Sequence, residues 1–412
     1  MEINLIRLRT VLDNRESDII KENDTFIDAI NDELLDDDLV LVEDSLHAAF
    51  DIYFIETGGS ETKFKELFEK DIKAPVVLLS NGKNNSLPAA LEIKSYCSLH
   101  DVPAVILIGD EKKICQILKP FARSIVAKRV LEEQKLGVVG EPSDWLIASQ
   151  VSDEDVYNIF KINLVHISMD EFKSEIDKHE LVKIPHLSDL KSKFKDDQVL
   201  DGALYIYSAL KRLIAKYDLK GLTVRCFDLI SEYKNTACLA LALLNEEGIT
   251  AGCEGDVPTL LTMHMLRVLT GRSAFQANPS YINHDNNAVL FAHCTLPLNM
   301  TSDYSLTTHF ESGLGIGIKG TMHLGEVSIC KIFINQKHNL DNCIAINGTI
   351  KENLSLECYC RTQINVELSD YDILSVLRED YGNHMVIVYG NVTDEFYTLI
   401  SIYNFEANKL NK

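Results

Sequence analysis

The sequence predicts an α/β protein: two Rossmann-like α/β domains with parallel sheets, followed by a β-rich C-terminal domain. Three observations carry this prediction. Short, continuous apolar runs alternate with helical patterns through the first ~130 residues. The same rhythm restarts at Lys135. From about Ala274 the helical patterns give way to short β runs separated by Gly and Asn turns. Continuous apolar strands between helices indicate a parallel sheet covered on both faces, and a terminal run of β signals indicates a separate antiparallel sandwich or barrel. The expected domains are 1–133, 134–275 and 276–412 of the 412 residues, a length that calls for two or three.

The elements follow in order. Asp51–Ile55 is a buried strand that ends in the turn Glu56-Thr57-Gly58-Gly59-Ser60-Glu61. Pro75–Leu79 is a second, ending at Ser80-Asn81-Gly82, and residues 86–98 form an amphipathic helix. Pro103–Ile108 is a third strand. The second domain opens with the strand 135–140 and continues with 162–168, the helix 201–217, the strand 222–227 and the helix 236–245. Gly248–Ala251 then leads into Cys253-Glu254-Gly255-Asp256, and an apolar helix runs on to Gly271. Beyond it, strands are expected at 288–294, 313–319, 326–334, 343–350, 354–366 and 385–390, with one helix at 370–378.

Composition excludes several classes. Lys and Arg number 40 against 62 Asp and Glu, a net charge of −22, which argues against nucleic acid or an anionic membrane as partner. A small neutral ligand is unaffected by that charge. The ten cysteines are scattered without a CxxC pair; Cys358-Tyr359-Cys360 places two thiols on one face of a strand, where they could bind a metal, but reads better as small residues in a strand. The N-terminal MEINLIRLRT has no signal-peptide core, and no apolar run reaches roughly 18 residues. A reducing, cytoplasmic setting is expected. Gly313-Leu314-Gly315-Ile316-Gly317 lacks a following helix and is no dinucleotide fingerprint.

The chemistry is concentrated between Ala251 and Cys294. A carboxylate where a strand of an open α/β sheet turns into a helix lies among the site-forming loops. Asp256 before Val257-Pro258 reads as a helix N-cap. Glu254, set in an apolar approach, requires a partner if it is buried. His293 ends the strand 288–294. His309 and Glu311, two residues apart, would project from one face of an extended strand, a pairing suited to a metal or a proton relay. Arg225 and Arg361 interrupt apolar strands, and Asn81 and Lys234 lie near strand ends. Each can bind a polar ligand or serve a structural ion pair.

The segment 251–294, with Leu269-Thr270-Gly271 at its helix end and Gly382-Asn383-His384 far downstream, resembles the L-fucose isomerase family. The resemblance implies the predicted fold and an aldose–ketose isomerase working through a metal-stabilised enediol. It implies a divalent ion, usually manganese, held by a glutamate, an aspartate 24 residues on and a histidine. Here Glu254 and His384 fill the first and last positions, but Asn278 stands at the aspartate position, which weakens hard-ion binding. Related arabinose isomerases use a histidine in the region of His293. The resemblance therefore implies metal ligands Glu254, Asn278, His384 and His293. Acid/base work falls to Glu254 with Asp256 or Glu311, and sugar contacts to His309, Arg225, Arg361 and Asn81. It also implies a trimeric or hexameric homo-oligomer. The alternatives are another sugar-converting enzyme on the same scaffold without the inherited metal site, and a non-catalytic sugar-binding protein.

Overall fold

The apolar runs of the N-terminal region form a five-stranded parallel sheet in the computed structural model. The structure describes residues 1–10, 16–35, 38–72, 75–335, 340, 342–369, 373, 377–378 and 381–410. The chain divides into two compact units, Met1–Lys128 and Arg129–Lys412. In the first, β1 (Glu2–Leu8), α1 (Glu16–Leu34), β2 (Val40–Val42), β3 (Asp51–Ile55), α2 (Glu61–Asp71), β4 (Val76–Ser80), α3 (Ser86–Leu99) and β5 (Ala104–Ile108) alternate, and α4 (Glu111–Leu131) runs on into the second unit. The strand order is β2-β1-β3-β4-β5. Alternate residues of β3 and β4 enter two separate cores: Ile52, Phe54, Val77 and Leu79 on one face, Tyr53, Ile55, Val76 and Leu78 on the other. That two-sided burial explains why these strands are apolar throughout and not alternating.

The second unit begins with β6 (Lys135–Val139), α5 (Asp153–Phe160), β7 (Asn163–Ile167), α6 (Met169–Ile176), α7 (Leu187–Lys193), α8 (Asp197–Tyr217), β8 (Gly221–Val224), α9 (Asp228–Tyr233), α10 (Cys238–Glu246), β9 (Thr250–Cys253) and α11 (Val257–Thr270). Its four strands are parallel in the order β7-β6-β8-β9. The remaining strands are β10 (Phe275–Asn283), β11 (Ala288–His293), β12 (Thr301–Thr307), β13 (Gly317–Met322), β14 (Gly325–Lys331), β15 (Ile344–Asn353), β16 (Thr362–Leu368) and β17 (Met385–Tyr389), before the helix α12 (Thr393–Leu410). Six of them close a barrel in the order β10-β11-β16-β15-β14-β17, while β12 and β13 pair as a hairpin. One continuous core joins Val139, Leu204, Leu241 and Cys253 of the sheet layer to Phe275, Phe291, Ile329 and Ile387 of the barrel. Sheet and barrel thus pack as one body, which fixes the end of β9 against the start of β10.

Several expectations change. The strand expected at 313–319 starts only at Gly317, and residues 308–316 form a turn. Gly313 and Gly315 take left-handed backbone there, and a Cβ on Gly315 would meet the Thr236 backbone nitrogen at 2.7 Å. The segment is pressed onto the α9–α10 connection instead of extending. Residues 354–361 likewise form a turn that carries Cys358 and Cys360, and β16 begins at Thr362. The helix expected at 370–378 falls largely outside the described residues. Among the described residues, no helix is long and apolar enough to cross a membrane.

Candidate active site

The junction between β9 and α11 sets the centre. Glu254 and Gly255 have φ of 67° and 70°. Left-handed backbone is free for glycine but strained for a glutamate, and such strain recurs at functional sites. Gly255 is required by close approach as well, because a Cβ there would lie 2.8 Å from Pro142 Cα. The loop after β6 is thereby packed on the junction, and Ser143 N–H donates to Glu254 O at 2.9 Å. Gln276 on β10 accepts from Cys253 N–H at 2.8 Å and ties the strand end to the barrel. Asp256 caps α11 by accepting from Thr259 N–H at 2.9 Å.

Around this turn the side chains form a connected chain. Trp145 Nε1–H donates to Glu254 Oε2 at 2.6 Å. Glu254 Oε1 lies 3.4 Å from His384 Nε2 and 4.0 Å from His293 Nε2. His384 Nδ1 lies 2.8 Å from Asp256 Oδ2. Lys331, fully buried at the end of β14, stands 3.6 Å from the same Asp256 oxygen and donates to Thr259 Oγ1 at 2.6 Å. His293 Nδ1 is 2.8 Å from Thr295 Oγ1. Glu254 is 7% exposed, and Asp256 and His384 are fully enclosed.

The electrostatics follow from this packing. Burial opposes charge on Glu254, but His384, His293 and the Trp145 N–H together hold its carboxyl below the usual range. Asp256 is held lower still: Lys331, His384 and the Thr259 N–H outweigh its burial. Burial also opposes charge on His384, yet the hydrogen bond to Asp256 and the facing Glu254 push it up to about 9. His293 goes the other way. Burial, reinforced by the charge of His384, takes it down to about 3 and leaves a neutral imidazole. Two imidazoles of opposite protonation therefore flank one ionised carboxylate.

The other candidate residues are placed as follows. Asn278 on β10 pairs with Ala292 on β11. It lies one step beyond the Ala277–Met385 pair that joins β10 to β17, which brings it beside His384 in sequence register. Asn278 Oδ1 and His384 Nε2 are buried without a hydrogen-bond partner among the described residues. His309 and Glu311 do not share a strand face. They sit in the turn before β13, where His309 is buried, with Nδ1 3.2 Å from Ser312 Oγ, and Glu311 is exposed. Burial and the charge of Arg361 lower His309, while burial and the charge of Glu254 raise Glu311. Arg361 donates to Thr308 O at 2.7 Å and lies over the Phe310 ring. Arg225 is held by Asp144 and Asp228 and donates to Pro142 O at 2.8 Å. It lines a cavity of about 520 Å³ at the C-terminal ends of β6, β7 and β8. Lys234 donates to Ser231 O. Asn81 belongs to the first unit, where it bonds Asn23, Lys83 N–H and Ser86.

Sequence reasoning missed three neighbours. Trp145, the single tryptophan, comes from the loop after β6. Lys331 is a charged terminus on an apolar strand, the only outward sign of its burial. Cys253 places its sulfur with a Glu254 oxygen and a His293 nitrogen, all within 4.8 Å of one another, a group able to hold a metal ion. A divalent ion fits this donor set. The Cys253 sulfur, a Glu254 oxygen and a His293 nitrogen converge, His384 Nε2 stands 3.4 Å from Glu254 Oε1, and Asn278 Oδ1 and His384 Nε2 are buried without hydrogen-bond partners among the described residues.

Fold and centre together define an α/β protein with a buried carboxylate–histidine site at the carboxyl end of its second parallel sheet. No family model matches the chain. It is similar to the sulfoquinovose isomerase of Alkalicoccus urumqiensis, 23% identical over 348 residues that cover 78% of this chain and 75% of that protein. The sulfoquinovose isomerases of Priestia aryabhattai and Priestia megaterium match at the same identity and coverage.

Proposed function

We propose that this protein is a sugar isomerase that interconverts an aldose and its ketose at the Glu254 centre. The similarity to three sulfoquinovose isomerases across three quarters of the chain supports the reaction class. The observation that carries the site is the ionised, strained Glu254 between His384 and His293. Isomerisation takes a proton from C2, passes through an enediol and returns a proton to C1, while the hydroxyl proton moves from O2 to O1. Glu254 is the carboxylate placed for the carbon-bound proton. Trp145 occupies its Oε2 and leaves Oε1 toward the histidines. Asp256 fixes the ring of His384 through Nδ1, so that Nε2 faces the site.

Glu254, His384, His293 and Asn278 would hold a divalent ion, which when bound supplies a Lewis acid for the sugar oxygens. Arg361, whose hydrogen-bond partners among the described residues are carbonyl and hydroxyl oxygens and not carboxylates, is available to an anionic substituent on the sugar. Sulfoquinovose, a sulfonated aldose, fits that description. The test is a proton NMR assay in deuterated water with sulfoquinovose, glucose and L-fucose, run on wild type and Glu254→Gln. Deuterium exchange at C2 with ketose formation is expected for wild type and a loss of at least ~10²-fold in the variant. Wild-type activity retained within a few-fold in Glu254→Gln would remove Glu254 from the reaction.

A further inference from the structure

The donor atoms at this centre are unusual for an ion that is to be hard. Only Glu254 and Asn278 offer oxygen. His293 and His384 offer nitrogen, and Cys253 offers sulfur within 4.8 Å of both the Glu254 oxygen and the His293 nitrogen. All of these groups are buried except for part of Asn278. A magnesium or manganese ion is best served by oxygen ligands and retained water, whereas imidazole and thiolate suit zinc, cobalt and iron(II). We propose that Cys253 joins Glu254 and His293 as a ligand, and that the centre takes a borderline divalent ion of the zinc–cobalt–iron(II) class in preference to manganese or magnesium.

The surroundings fit that assignment. Cys253 is the last residue of β9, held by Gln276 through its backbone N–H and one residue from the strained Glu254. Its sulfur lies 3.0 Å from that of Cys226, two residues past β8, and neither is in a disulfide. Cys226 can therefore donate its S–H to a Cys253 thiolate, a supporting hydrogen bond of the kind that orients metal ligands. His384 adds a second imidazole, its buried Nε2 without a hydrogen-bond partner among the described residues and 3.4 Å from Glu254 Oε1. Binding releases the proton of the Cys253 thiol and, where His384 ligates through Nε2, the proton on that nitrogen, and both pass to buffer. The inference rests on the reading of Glu254 as the centre of the catalytic site, but metal binding alone tests it.

The full-length protein, stripped with a chelator, is titrated with Co²⁺ and followed by absorption. Wild type is expected to develop an intense near-ultraviolet thiolate-to-cobalt charge-transfer band beside weak visible bands. Cys253→Ser should lose that band and bind Co²⁺ at least about tenfold more weakly. Cys226→Ser should keep the band. In a mixture of equal Zn²⁺ and Mn²⁺, zinc should displace manganese and the electron-spin resonance of free Mn²⁺ should rise. A wild-type cobalt complex without the charge-transfer band overturns the thiolate ligand even if Cys253→Ser fails to fold, and Cys253→Ala serves as the second variant. Manganese retained against equal zinc overturns the preference. Neither result bears on whether a sugar is isomerised, which the Glu254→Gln assay decides separately.

Discussion

His384 makes the stability of the metal-free protein depend on alkaline pH. The ring is wholly enclosed between two carboxylates, 2.8 Å from Asp256 and 3.4 Å from Glu254, and is pushed up to about 9. In the unfolded chain a histidine titrates near 6.5. Between those values the native protein holds a proton that the unfolded chain has released, so native stability falls as pH rises. The contribution is complete below pH 6.5 and lost once pH passes about 9. That interval, at about 1.4 kcal/mol for each pH unit, is worth about 3 kcal/mol. Lys331 is lowered by burial and acts in the opposite sense below its ordinary 10.5. The quantity to read is therefore the difference between wild type and His384→Asn, which keeps a donor where Nδ1 stood. Guanidinium unfolding in chelator at pH 6.5 and at 9.5, followed by circular dichroism, should show wild type losing about 3 kcal/mol more than the variant across that range. Histidine NMR should place the wild-type titration near 9. Parallel stability curves for the two proteins, or a His384 titration near 6.5, would refute the reasoning.

Three further outcomes are expected. Asn278→Asp should bind divalent ions more tightly by calorimetry, since each anionic ligand raises affinity. Lys331→Met should destabilise the second unit by up to roughly 3 kcal/mol in chemical unfolding, as it removes one of the two cations, Lys331 and His384, that face the buried Asp256. Arg361→Gln should raise KM for sulfoquinovose at least about tenfold and leave KM for a neutral aldose within about threefold, measured by initial rates; equal effects on both sugars would remove Arg361 from recognition of the anionic group.

Strands such as Asp51–Ile55 and Val76–Ser80 were legible because two-sided burial writes itself as continuous apolar sequence. The cap at Asp256 was legible because Val257-Pro258 and the distant Gly271 bracket the helix by local chemistry. β12 was not, since Thr301–Thr307 belongs to a two-stranded hairpin with mostly polar residues and only Leu306 among the buried. Residues 313–316 were misread as strand because the demand on Gly315 comes from Thr236, far away in sequence. The same distance hides the network around Glu254. Its need for partners could be argued from burial, but Trp145 lies 109 residues before it and the register of β10 with β17 is what carries Asn278 toward His384. Asp256 illustrates the limit of a local reading: one carboxylate oxygen caps α11 and the other holds His384, and only the first duty is visible nearby.

The indole of Trp145 has a practical consequence. It is the chain's single tryptophan, half exposed, with its N–H on the Glu254 carboxylate and its ring against Phe227. All tryptophan emission from this protein therefore originates at one atom's remove from the residue assigned the chemistry. A cation that draws on Glu254, or a sugar that displaces water from the indole face, alters the field at the fluorophore and shifts its spectrum. Binding curves for metals and for an entire panel of sugars can accordingly be recorded on unlabelled protein, without turnover and before any substrate is known.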